Sequence, residues 1–124
     1  MEYIKIKKDI TDCYEHAEYS NRNILFLGRF LIEVYDDYHW WIEWVSNNSF
    51  NEAENNISWL EKRNDEILIG FLFDKSDDKY KDAFKISSSG FVNLLAKWNE
   101  FVSNNIPEFM IIFEDGKIDF QEMN

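Results

Sequence analysis

The chain predicts an α+β domain: a mainly antiparallel β-sheet, two or three helices packed on one of its faces, and a C-terminal β-hairpin. Three observations carry this. Short apolar blocks, alternating or continuous, are bounded by polar turns, as strands are. Two other stretches space their apolar residues three and four apart, as helix faces do. The tail sets Asp115-Gly116 between two apolar runs, the signal of a two-residue hairpin turn. With 124 residues, 45% hydrophobic, and no repeat or linker, residues 1–124 suit one domain around one core.

Tyr3 to Lys7 alternates apolar and basic residues and predicts a short strand. Asp9 to Tyr19 predicts a short helix, capped by Asp9 or Thr11, with Ile10, Cys13, Tyr14 and Ala17 on one face. Ser20 to Asn23 is a polar break. Ile24 to Tyr35 predicts two strand pieces bent at Gly28, the second from Arg29 to Tyr35, with a helix as the competing reading of the first. Residues 36–39 then form a hairpin loop, and Trp40 to Val45 the returning strand. In that strand Trp40, Ile42 and Trp44 face the core, while Trp41 shares the other side with Glu43 and Val45.

Ser49 and Glu52 match a capping box, and Phe50, Ala53, Ile57 and Leu60 predict an amphipathic helix to about Arg63. Glu66 to Phe73 is a near-continuous apolar run, expected to be a central strand buried on both faces. Asp74 to Asp82 is a charged loop, and Phe84 and Ile86 mark one more strand. After Ser87-Ser88-Ser89-Gly90, residues Phe91, Leu94, Leu95, Trp98, Phe101, Val102 and Asn105 predict a helix that ends before Pro107. Phe109 to Phe113 and Ile118 to Phe120 form the hairpin.

The net charge of −11 is unevenly placed. Residues 1–31 hold five acids and five bases, so the whole excess lies in the remaining 93. Such a surface repels phosphate backbones, which disfavours direct nucleic-acid binding, and attracts a basic partner. A single cysteine, Cys13, excludes an internal disulfide and is expected to be small and at least semi-buried. No apolar run approaches 18 residues and the N-terminus has no apolar h-region. These features predict a cytoplasmic protein without a membrane span.

Catalytic patterns are weak. Cys13 and His16 would meet on a helix, but no third member or oxyanion site accompanies them. His16 and His39, the only histidines, stand in no metal-ligand spacing. The acidic loop DKSDDKYKDAFK fails as an EF-hand because Lys79 and Lys85 occupy the positions that need glycine and glutamate. No glycine-rich phosphate loop is present, and SSSG at 87–90 reads as a helix cap. The expectation is a non-enzyme without metal or cofactor.

What remains is the stretch YDDYHWWIEW. Asp36 and Asp37 lie among Tyr35, Tyr38 and Trp40, and acids beside aromatics can grip basic side chains. Trp41, on the outer side of its expected strand, suits an interface anchor. A platform for stacking nucleic-acid bases would need basic neighbours, and these are acidic.

In its small, acidic, aromatic-rich α+β make-up, the chain resembles the immunity proteins that bacteria encode beside contact-dependent or polymorphic toxins. The segments FLIEVYDDYHWWIEW, FKISSSGFVNLLAKWNEFV and FMIIFEDGKIDF carry the likeness. The resemblance implies an inhibitor that binds a basic toxin domain, often a nuclease, and occludes its active-site cleft. Asp36, Asp37, Tyr38, Trp41 and Glu43 are then the first candidates for contact, with Asp74, Asp77, Asp78 and Asp82 as a second acidic patch. An acidic adaptor or DNA-mimic regulator of nucleic-acid enzymes is the alternative, and a small-molecule binder or enzyme with an aromatic pocket is a further one. Monomer and homodimer both stay open.

Overall fold

The computed structural model describes residues 1–34, 36–74, 78 and 80–123. Among them the order is β1 (Glu2–Lys8), β2 (Tyr14–Tyr19), α1 (Arg22–Ile32), α2 (Tyr38–Ser46), β3 (Glu52–Glu54), β4 (Ser58–Arg63), β5 (Glu66–Phe71), β6 (Phe84–Ser87), α3 (Ser88–Ser103), β7 (Glu108–Glu114) and β8 (Lys117–Glu122). The domain is α+β and its strands pair antiparallel, as expected. They divide into two four-stranded sheets, however: β2-β1-β7-β8 and β3-β4-β5-β6.

Helix α1 explains that division, and it also explains why residues 29–35 do not form the expected strand. It packs on β1 and β2 of the first sheet and on β4, β5 and β6 of the second. Ile24, Leu25, Phe26, Leu27, Gly28, Phe30 and Leu31 are therefore all buried. Arg22, Asn23 and Arg29 leave the helix only a narrow polar edge, so the segment also suits an apolar strand bent at Gly28. Asn21 starts it, its side-chain oxygen accepting from the Ile24 N–H at 3.1 Å. Gly28 is where the helix comes down on the first sheet: an added Cβ would lie 2.2 Å from Ile4 Cδ1. Tyr35, the end of the expected strand, lies outside the described residues.

Residues 40–45 belong to helix α2 and not to a returning strand. Tryptophan, isoleucine and valine favour strands, but the helix buries Trp41 and Trp44 together on one face, and this tertiary packing overrides the propensity. Trp44 is buried and Glu43 exposed as expected, but the places of Trp40 and Trp41 are exchanged. Trp41 is 3% exposed and Trp40 is 53% exposed.

Two further helices proved to be strands for a shared reason: polar side chains bond their own backbone and turn the chain. Asp9 Oδ1 accepts from the Thr11 and Cys13 N–H groups at 2.8 and 3.1 Å, closing a turn before β2. Asp12 in that turn has a left-handed φ of 68°. Asn55 Oδ1 likewise accepts from the Ile57 and Ser58 N–H groups at 3.2 and 2.8 Å, turning β3 into β4. Ser49 consequently caps nothing helical; its N–H donates to Asn47 Oδ1 at 2.9 Å. Cys13 is exposed rather than semi-buried.

The strands β1, β5 and β6, the helix α3 and the tail stand where expected. Ser87 caps α3 by accepting from the Gly90 N–H at 3.0 Å. Asp115 and Gly116 take φ of 52° and 75°, as a two-residue turn of this hand requires. The main core lies between the sheets, with Ile4, Ile6, Phe109 and Ile111 from one and Leu60, Ile67, Ile69, Phe84 and Ile86 from the other. Phe84 and Phe113 meet across the seam with centroids 5.0 Å apart. The opposite face of the second sheet carries a smaller cluster of Trp59, Leu68 and Ala83, flanked by Leu72 and Tyr80.

Candidate functional site

The acidic and aromatic residues of YDDYHWWIEW sit where α1 hands over to α2. Asp36 and Asp37 are exposed in the short connection, and Asp37 is the N-cap of α2 without any side-chain capping bond. Tyr38 is half-buried against the core, and Glu43 is exposed on the solvent side of α2. Trp41 faces the opposite way. Its ring meets Phe30 edge-on at 5.0 Å and Trp44 at 5.6 Å, and Phe30 in turn stacks on Phe91. These contacts make Trp41 a member of the core whose edge reaches the surface. Trp40 stands perpendicular to it at 4.8 Å, with its ring in solvent.

Beside these two rings the surface is concave. A cleft of about 430 Å³ is lined by Glu33 at the end of α1, Asp37, Trp40, Trp41, Glu54 at the end of β3, and Asn55 and Asn56 in the β3–β4 turn. Three carboxylates and an exposed indole thus share one depression. Asn56 Nδ2 lies 3.5 Å from Glu33 Oε2, and the Asn55 turn holds the far wall in place. The ammonium of Lys62, on the adjoining strand, is turned away into the end of α2, where it donates to the carbonyls of Trp44 and Asn47 at 2.6 and 2.5 Å. Its burial there lowers its pKa. A cleft of one sign of charge with low-dielectric walls concentrates its field on a visiting counter-ion. The arrangement suits a guanidinium or ammonium group, bonded by carboxylates and stacked on an indole face.

The second expected patch is organised differently. Asp74 accepts from Arg22 Nη2 at 2.6 Å, and its side chain is only 6% exposed. Asp82 lies 3.5 Å from Arg22 Nη1. Both therefore bind the loop after β5 to the start of α1. Asp78 Oδ1 accepts from the N–H groups of Tyr80 and Lys81 at 3.1 and 3.3 Å and shapes its own turn. Asp77 lies outside the described residues.

A meeting of Cys13 with His16 would need a helix. His16 is on β2 and Cys13 precedes that strand, and an extended chain separates residues three apart by about 10 Å. Among the described residues no group of three or more His, Cys, Asp or Glu is placed to hold a metal ion, and no helix is long and apolar enough to cross a membrane.

Trp40, Glu33, Glu54, Asn55 and Asn56 were not among the expected contacts. Glu33 and Asp37 cap the facing ends of α1 and α2 and Trp40 lies in the first turn of α2, so their convergence follows from the break between the two helices, which a strand reading of the segment hides. No family model matches the chain, and neither does any curated protein or solved structure.

Proposed function

We propose that this protein is a toxin-neutralising binding protein of the immunity type, which occludes a basic bacterial toxin domain, in the first instance a nuclease. The observation that supports the reading is the cleft between α1, α2 and β3. It offers Glu33, Asp37 and Glu54 to a cation and the exposed face of Trp40 to stack on it. A lysine or arginine that would otherwise hold a phosphate enters the cleft, while Asp36 and Glu43 widen the negative field around it. The mechanism is steric and electrostatic and involves no bond chemistry. Charge complementarity of this kind governs association rate and selectivity, and hot-spot aromatics hold the complex together.

The test is capture from lysate of the native strain at low and moderate salt, repeated with Asp36→Lys/Asp37→Lys. One basic polypeptide retained in equal ratio at moderate salt, released by the double reversal, and toxic when expressed without this chain supports the reading. Several nucleic-acid enzymes that all leave as salt rises favour the acidic adaptor instead. A partner indifferent to the double reversal removes the cleft from the interface.

A further inference from the structure

A second cavity lies apart from the acidic cleft, where the ends of α1 and α3 meet the β1–β2 turn. It measures about 260 Å³. Leu31, Ile32, Trp98, Val102 and the ring of Tyr14 form its apolar walls. The mouth is polar and carries one charge of each sign. Lys8 Nζ lies 3.1 Å from Asp12 Oδ1 and donates to Asn105 Oδ1 at 3.1 Å. The same ammonium stands 5.3 Å above the Tyr14 ring. The Lys8 side chain is 13% exposed, whereas Asp12 is 82% exposed and can swing aside.

We propose that this cavity binds a free amino acid with an aromatic or branched apolar side chain. Size limits the ligand first. Pockets for drug-sized molecules run from about 300 to 1,000 Å³, so this smaller one takes a single ring or a branched chain. The walls choose an apolar body, because burying a polar one among Leu31, Ile32 and Val102 leaves its hydrogen bonds unmade. The mouth chooses the head group. A ligand carboxylate bonds the Lys8 ammonium from inside, and its ammonium meets Asp12 on the rim. The zwitterion slots between two charges that already face each other. A ligand with no net charge also escapes repulsion from a chain of net charge −11. The body would lie against Trp98 and Tyr14, whose rings stand 6.0 Å apart at 58°.

Calorimetry and amide NMR with L-phenylalanine and L-leucine test the proposal, with glycine, phenylacetate and phenethylamine as controls. Saturable binding of the two apolar amino acids is expected, with shifts at residues 8, 12–14, 98, 102 and 105, and much weaker binding of all three controls. Lys8→Met should weaken phenylalanine binding about tenfold or more, as loss of a hydrogen bond to a charged group does. Asp12→Asn should weaken phenylalanine and leave phenylacetate unaffected. Val102→Trp should fill the cavity and abolish binding; if that variant does not fold, the two mouth variants decide. No binding at millimolar concentration overturns the proposal. So does phenylacetate binding as tightly as phenylalanine, or shifts confined to residues elsewhere.

Discussion

Replacing Gly70 by alanine is a sharp probe of how the outer face of the second sheet is built. Gly70 lies opposite Trp59 in the β4–β5 ladder, and the indole covers it. A Cβ at position 70 would lie 2.1 to 2.3 Å from three atoms of that ring. Among the described residues Gly116 is the one glycine with positive φ, so alanine meets no backbone strain at 70 and the substitution isolates the contact. In an open strand the change would favour folding by about 0.5–1 kcal/mol. Here the ring must move, and it is held, at 8% exposure, edge-on to Tyr80 at 5.8 Å. Overpacking of this kind costs about 1–3 kcal/mol, so the net loss should be about 1–2 kcal/mol. For a chain of this size that is a fall of about 4–8 °C in Tm. A double-mutant cycle in urea completes the argument. Trp59→Leu alone should cost about 2 kcal/mol. In that background Gly70→Ala should be neutral or slightly stabilising, a coupling of about 1–3 kcal/mol. Additivity of the two changes to within about 0.5 kcal/mol would refute the reasoning, because the indole would then not be what position 70 feels.

Three further outcomes follow from the geometry. Trp40→Ala should change stability by less than about 0.5 kcal/mol while weakening capture of the partner, whereas Trp41→Ala should cost about 3–5 kcal/mol; chemical denaturation of both variants separates the surface ring from the core one. Asn55→Ala removes two hydrogen bonds from the β3–β4 turn and should lower stability by about 1–2 kcal/mol, with the largest loss of amide protection in β3. Burial, reinforced by the nearby Arg29 charge and partly offset by Glu15, holds the His16 pKa below its ordinary value of 6.5. The folded state therefore prefers the neutral ring: its contribution is complete above 6.5 and is lost as pH falls through the lower folded midpoint. An NMR titration should place the His16 midpoint below 6.5, and His16→Phe should flatten the pH dependence of stability in that window.

Elements that answer to one rule were legible in the sequence, and elements where two rules compete were not. Asp115-Gly116 needed only the positive φ that both residues adopt, and α3 only its spacing and its serine cap. Phe50 to Leu60 satisfied helical spacing, but Asn55 bonds its own backbone and the turn prevailed. The segment from Asp9 failed likewise, through Asp9 itself. Helix α1 shows its period in Arg22, Asn23 and Arg29, but the apolar run around Gly28 also suits a bent strand, and the two sheets that cover it decide between the two. That error propagated to the site. A strand from Trp40 to Val45 assigns alternate tryptophans to opposite sides, whereas a helix pairs Trp41 with Trp44 and turns Trp40 outward. The acids at 36 and 37 were legible as a surface feature because nothing apolar could hold them. That Glu33 and Glu54 join them depends on β3 returning beside α1, which no local pattern encodes. Asp74 and Asp82 looked like a free patch because their shared cation, Arg22, stands far away in the chain.

The pairing of β1 with β7 has a consequence for how the molecule is made. Ile4 and Ile6 find their ladder partners, Ile111 and Phe109, only when the last strands leave the ribosome. Until then β1 and β2 form a lone two-stranded ribbon, which is marginal in water. The second sheet, α1 and α3 are contiguous and can assemble earlier. At about 5–20 residues per second, the edge of β1 that pairs with β7 waits for several seconds with its backbone groups unpaired. A nascent chain stalled before Glu108 should consequently be bound by chaperones and cut by proteases in residues 2–19, and release of the final hairpin should end both at once.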